Sequence, residues 1–109
     1  MSIQLPAAID LYLKAENSAD IDVLSECFTQ DAVVRDERRT YKGLAAIRKW
    51  KAETKAKYQH TVEPLSITAQ GGNTLVKVRL AGNFPGSPIM LDFEFTLEGR
   101  KIAFMEIHP

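Results

Sequence analysis

Apolar residues recur along this chain at two different periods, and the period changes near its middle. In the first half the spacing is helical. Ala7, Ile9, Leu11, Tyr12 and Leu13 follow Pro6, which suits a helix start, and the pattern predicts a first helix ending near Asn17. Asp20 can cap a short second helix that carries Ile21, Leu24, Cys27 and Phe28 on one side. Asp31 to Arg35 then has the pattern of a short strand. After Gly43, Leu44, Ile47, Trp50 and Lys51 fall on an i, i+3, i+6, i+7 track, predicting a third helix from about Leu44 to Tyr58. Lys51, Lys55 and Lys57 in its last turns would complement the negative end of the helix dipole.

From His60 onward the period is two. His60 to Ala69 predicts one strand, with Pro64 at an edge or bulge position. Gly71-Gly72-Asn73 is a turn signal. Val76, Val78 and Leu80 alternate with Lys77 and Arg79 in a second strand. The segment Gly82 to Pro88, with two prolines, predicts a stiff loop. In a third strand, Ile89, Leu91, Phe93, Phe95 and Leu97 face one way, and Asp92, Glu94 and Thr96 the other. Glu98-Gly99-Arg100 turns into a last strand, Lys101 to Ile107. Three helices before long meander strands predict an α+β fold: a curved, mostly antiparallel sheet wrapped by three N-terminal helices, in the manner of a cone-shaped, cystatin-like roll. Such a curl leaves a wedge-shaped cavity lined by the inward residues.

Composition narrows the possibilities. The length of 109 residues predicts one domain, 1–109. Fourteen basic and fourteen acidic side chains give zero formal net charge, so the basic footprint of a nucleic-acid partner is missing. Cys27 is a single cysteine, without a CxxC or Cys/His cluster, which argues against a disulfide and against a metal site. The start Met1 to Pro6 lacks a charged residue followed by an apolar run, and no apolar run approaches the roughly 20 residues of a membrane span. The expectation is a cytoplasmic protein with neither a membrane nor a nucleic acid as partner.

Three stretches carry a family resemblance. Tyr12 stands eight residues before Asp20, which opens helix two; Asp31-Ala-Val-Val-Arg-Asp36 ends a strand on an inward aspartate; Tyr41-Lys-Gly43-Leu-Ala-Ala-Ile47-Arg-Lys-Trp50 opens helix three. Their order and spacing resemble the SnoaL-like and ketosteroid isomerase-like branch of the nuclear transport factor 2-like superfamily, over nearly the whole chain. In ketosteroid isomerases an aspartate base moves a proton while a tyrosine and a protonated aspartic acid stabilise the enolate oxygen. The resemblance puts Asp36 at the base position and Tyr12 at the tyrosine position. It puts Leu91 where the second acid belongs. Asp92 is one residue off, and a one-residue shift turns a strand side chain to the other face. Loss of one oxyanion donor typically lowers a rate by about 10²–10³, so this kit departs from that of a steroid isomerase.

The candidate catalytic residues are therefore Asp36, Tyr12 and His60, the last because a histidine near an aspartate forms an acid–base pair at neutral pH. Each has an ordinary structural alternative: Asp36 capping a turn, Tyr12 packed in the core, His60 hydrogen-bonded at a strand mouth. His108, next to the C-terminus, is expected to be inert. Phe28, Trp50, Phe84, Leu91, Phe93 and Met105 are the candidate pocket wall. Arg35, Asp36, Glu37, Arg38 and Arg39 form a mixed charge run whose ordinary reading is a solvated turn, with Arg35 pointing outward.

Three functions fit this pattern. One is a cofactor-free acid/base isomerase, dehydratase or cyclase acting on a small apolar carbonyl compound through Asp36 and Tyr12. Another is a non-catalytic module that binds a hydrophobic metabolite. The third is a dimeric interaction protein with a vestigial pocket. Lys77, Arg79, Asp92 and Glu94 alternate onto the outer sheet face, with Met90, Phe104 and Leu75 beside them, and the resemblance implies a homodimer through that face.

Overall fold

The computed structural model describes residues 5–18, 20–36 and 38–109. Helix α1 (Ala7–Ser18) leads through a 3-10 turn (Ile21–Val23) into a one-turn helix α2 (Leu24–Cys27); strands β1 (Phe28–Asp36) and β2 (Arg39–Lys42) precede the long helix α3 (Leu44–Tyr58). Four strands follow: β3 (Thr61–Gln70), β4 (Asn73–Ala81), β5 (Ile89–Glu98) and β6 (Lys101–His108). They form one six-stranded sheet in the order β2-β1-β6-β5-β4-β3. The sheet is mixed, because β1 runs parallel to β6 while every other pair is antiparallel. A parallel pair needs a long crossover, and β2, α3 and β3 to β5 supply it. Among the described residues no helix is long and apolar enough to cross a membrane.

Alternation sorts the strands into an inner and an outer face. Val76 pairs with Phe93 and Phe95 with Met105, and all four are buried against the helices. On the outer face Lys77 pairs with Asp92 at 3.5 Å. Pro64 sits on the edge strand β3, and the β3–β4 register shifts between Pro64 and Ser66, as expected of a residue that cannot donate to the ladder. Helix α1 turns Ile9, Tyr12 and Leu13 inward, and α3 turns Ile47, Trp50 and Lys51 inward.

Two elements differ from the sequence expectation. Phe28 opens β1 instead of closing a helix, and the second helix shrinks to a single turn. The run of extended residues after Cys27, with paired valines at Val33 and Val34, wins over the helical spacing of Ile21, Leu24 and Cys27. The charge run from Arg35 is not simply a solvated turn: it holds the end of β1 and the start of β2, with Asp36 paired to Arg39. Its charge hides a hairpin whose inner residue is Tyr41, packed at 5.6 Å between ring centroids on Trp50.

Candidate functional site

The inner face and helices α1 and α3 enclose a cavity of about 750 Å³. Its apolar wall includes Trp50, Leu80, Phe84, Leu91, Phe93 and Ile107. Its polar groups are Glu16, Asp36, Thr54, Lys51 and His60, with Arg35, Arg38 and Glu106 also along the lining. An apolar cavity with a few convergent polar groups is the usual form of a small-molecule site.

Asp36 is half-buried at the end of β1, where the alternation from Ala32 and Val34 turns it inward. The Trp50 indole Nε1 donates to its Oδ2 at 3.3 Å. Trp50 reaches it from α3, because the helical track from Ile47 puts the indole on the sheet side. The other face of this arrangement is a buried charge cluster. Lys51 Nζ lies 4.0 Å from the Trp50 ring centroid and 5.4 Å from that of Tyr12. It forms an ion pair with Glu16. Glu16 also accepts from the Tyr12 hydroxyl at 2.9 Å, and its second carboxylate oxygen lies 2.9 Å from His60 Nε2. Glu16, Lys51 and His60 are 2%, 4% and 5% exposed, so their polar atoms are met by one another and not by water.

Backbone clamps hold the cluster. Asn17 donates to the Val62 carbonyl at 3.0 Å and accepts from the Val62 N–H at 2.8 Å, which ties the end of α1 to the start of β3. The Lys55 ammonium donates to the carbonyls of Glu16 and His60. Gln59 ends α3 in the left-handed conformation, its N–H bonded to the Lys55 carbonyl at 2.9 Å, so the chain turns sharply and delivers His60 inward. Gly82 makes this possible: a Cβ there would lie 2.8 Å from the Tyr58 carbonyl oxygen and 3.0 Å from His60 Cα.

The environment sets protonation. Burial, then Lys51 and Lys55, push His60 down to about 4 against a smaller opposing pull from Asp36, so the imidazole is neutral at neutral pH. Burial, with Asp36 and Cys27 adding to it, pushes the Tyr12 hydroxyl well up, which keeps it a donor. Burial pushes the Lys51 ammonium well down, and Lys55 adds to this. The Cys27 thiol, pushed up to about 12 chiefly by burial, is no nucleophile.

Of the residues expected from sequence, Asp36, His60, Trp50, Phe84, Leu91 and Phe93 line the cavity. Tyr12, Phe28 and Met105 lie behind the wall instead, fully enclosed in the core. Tyr12 packs edge-on against Phe28 at 5.5 Å and Phe95 at 6.0 Å, and it stands behind the lining residues Glu16, Lys51 and Phe93. His60 stands at the mouth of β3, just before Thr61, buried and hydrogen-bonded to Glu16, and it lines the cavity as well. Arg35 does not point simply away: it lines the cavity and lies 3.8 Å from Glu106. The expectation missed Glu16 and Lys51. Lys51 is no surface complement to a helix dipole; it lies one turn before Lys55, on the buried track of α3. Its place on the Ile47–Trp50 track, and that of Glu16 one turn after Tyr12, were the available signals.

Glu94, Glu106 and His108 bring ligand atoms within 4.8 Å of one another, a grouping that cysteine and histidine spacing did not foreshadow. These groups already serve one another: His108 lies 3.1 Å from Glu94, Asn73 donates to Glu94 at 2.8 Å, and Glu106 faces Arg35.

Residues 9–107 match the SnoaL-like domain family. No curated protein matches the sequence. Among solved structures, a candidate polyketide cyclase from Sinorhizobium meliloti is 39% identical over 95% of each chain, with a TM-score of 0.91. A ketosteroid isomerase-like fold protein from Catenulispora acidiphila, in complex with trimethylamine, is 18% identical over 97% of this chain and 87% of its own, with a TM-score of 0.83. The epoxide hydrolase/cyclase-like enzyme SalBIII, described for pyran ring formation in the polyether salinomycin, is 24% identical over 93% of this chain and 86% of its own, at a TM-score of 0.79. The last two likenesses speak for the fold alone. With a family match across all but the chain's ends, and an inner-face cavity of the kind described, this protein belongs to the SnoaL-like domain family.

Proposed function

We propose that this protein is a cofactor-free acid/base enzyme, an isomerase or cyclase, acting on a small apolar carbonyl compound. One observation carries the reading: a half-buried carboxylate, Asp36, at the N–H edge of the Trp50 indole and a buried polar cluster, Glu16–Lys51–His60, with Lys51 over the same ring, line one apolar cavity. Asp36 is the base for the carbon next to the carbonyl. The indole N–H holds its carboxylate in place, within reach of the cavity. The carbonyl oxygen lies toward Lys51 and His60, and Tyr12 acts indirectly by holding Glu16. Phe84, Leu91 and Phe93 take up the apolar remainder and exclude water. The 39% identical candidate polyketide cyclase supports a reaction of the cyclase kind. The test is turnover of a panel of small enolisable ketones by the wild type, Asp36→Asn and His60→Gln. Asp36→Asn is expected to lose about 10²–10⁴ in rate, the range of a positioned base; equal rates would sink the reading.

Leu91 favours a second reading. It lines the cavity at the place that the resemblance assigns to a second acid. A non-catalytic module for a hydrophobic metabolite would carry a ligand through purification, visible by native mass spectrometry, and show no turnover on the same panel.

A further inference from the structure

Among the described residues that line the cavity Lys51 is the single lysine, and it is buried to 4% exposure. Surface lysines are strongly hydrated and protonated, which masks the nitrogen lone pair. Lys51 instead lies between the Trp50 and Tyr12 rings, against the Glu16 carboxylate. Glu16 is thus a proton acceptor in direct contact with the ammonium, and His60 Nε2 lies 2.9 Å from the same carboxylate. A lysine desolvated in an apolar pocket beside a second cation is the setting that activates an amine as a nucleophile; Lys55 is that second cation.

We propose that Lys51 is a nucleophilic amine that forms an imine with an aldehyde or ketone bound in the cavity. This rests on the carbonyl-substrate reading above. The ammonium first gives its proton to Glu16. The lone pair of Nζ then bonds to the carbonyl carbon as the C=O π pair moves onto oxygen. One N–H proton passes to that oxygen, giving a carbinolamine. The hydroxyl leaves as water with the proton held by Glu16 as the nitrogen lone pair forms the C=N bond, leaving a protonated imine beside the restored Glu16 carboxylate. No oxidant, reductant or metal enters the balance. Once formed, the imine draws electrons from the neighbouring carbon, whose proton Asp36 is placed to remove.

The experiment is reductive trapping. The full-length protein is mixed with benzaldehyde and cyanoborohydride at neutral pH, and labelling of each lysine is followed by peptide mass spectrometry over time. Lys51 is expected to gain one benzyl group at least about 10-fold faster than exposed Lys77, because a neutral amine, not an ammonium, attacks. Lys51→Arg, which keeps the charge beside Glu16, is expected to abolish that fast label and leave the slow ones. Labelling of Lys51 no faster than of Lys77 in the folded wild type would overturn the proposal, whether or not the variant folds. The outcome is separable from the acid/base reading: trapping needs no turnover and survives Asp36→Asn, whereas turnover lost in Asp36→Asn without trapping at Lys51 would leave the acid/base reading standing and remove the imine.

Discussion

Glu16 receives partners from three places in the chain: Tyr12 on its own helix, Lys51 on α3, and His60 ahead of β3. Breaking such a buried pair by removing one member typically costs about 3–5 kcal/mol, because the other charge is stranded, whereas replacing both by apolar groups can be neutral. Glu16→Leu and Lys51→Met alone should therefore each lower the urea midpoint strongly, and the double variant should lose less than the sum. A strictly additive cycle would show that the two side chains do not depend on each other. His60 gives a pH signature. Its folded value of about 4 lies below the unfolded 6.5, so the unfolded chain binds the proton first on acidification. Stability contributed by neutral His60 is present above the unfolded value and is lost as the pH falls through the interval toward about 4. Urea titrations across that interval should show a slope that flattens in His60→Gln; an unchanged slope would count against a buried neutral imidazole.

At the level of elements, the site depends on how the ends of α1 and α3 meet the start of β3 beside the β4–β5 loop. Gly82 is the tightest point of that meeting. In Gly82→Ala the new methyl presses on the Tyr58 carbonyl and the His60 backbone, neither of which is a flexible side-chain end. The expected cost is about 1–3 kcal/mol, with altered His60 ring signals by NMR; wild-type stability and spectra would show that this corner has slack. These elements differ in how openly the sequence displays them. The alternation Ile89–Leu91–Phe93–Phe95 displays β5 and its inner face, and the Ile47–Trp50 track displays α3. The hairpin of β1 and β2 was hidden because its outer residues are charged, and composition there looks like a loop. Glu16 and Lys51 were hidden for a related reason. A charged residue belongs to the surface by default, and their burial arises only when segments 35 to 44 residues apart are brought together. Asp36 was accessible to sequence reasoning because its motif and strand parity point to the same face, while Tyr12 shares a motif but lies one layer deeper.

The sheet presents two faces. The inner face holds the cavity; the outer carries opposite charges in register, such as Lys77 with Asp92 and His108 with Glu94, beside the exposed Met90. We propose that this outer face pairs two copies, and light scattering at micromolar concentration should give twice the 12.2 kDa chain mass; a monomer would remove the proposal. The central claim is that Asp36 moves a proton at the carbon beside a carbonyl in that cavity. Its most direct measurement is deuterium exchange at that carbon, followed by NMR for a small apolar ketone in heavy water. The account predicts exchange catalysed by the wild type and reduced about 10²–10⁴-fold by Asp36→Asn. Exchange no faster than in buffer, or equally fast in wild type and Asp36→Asn, would contradict it.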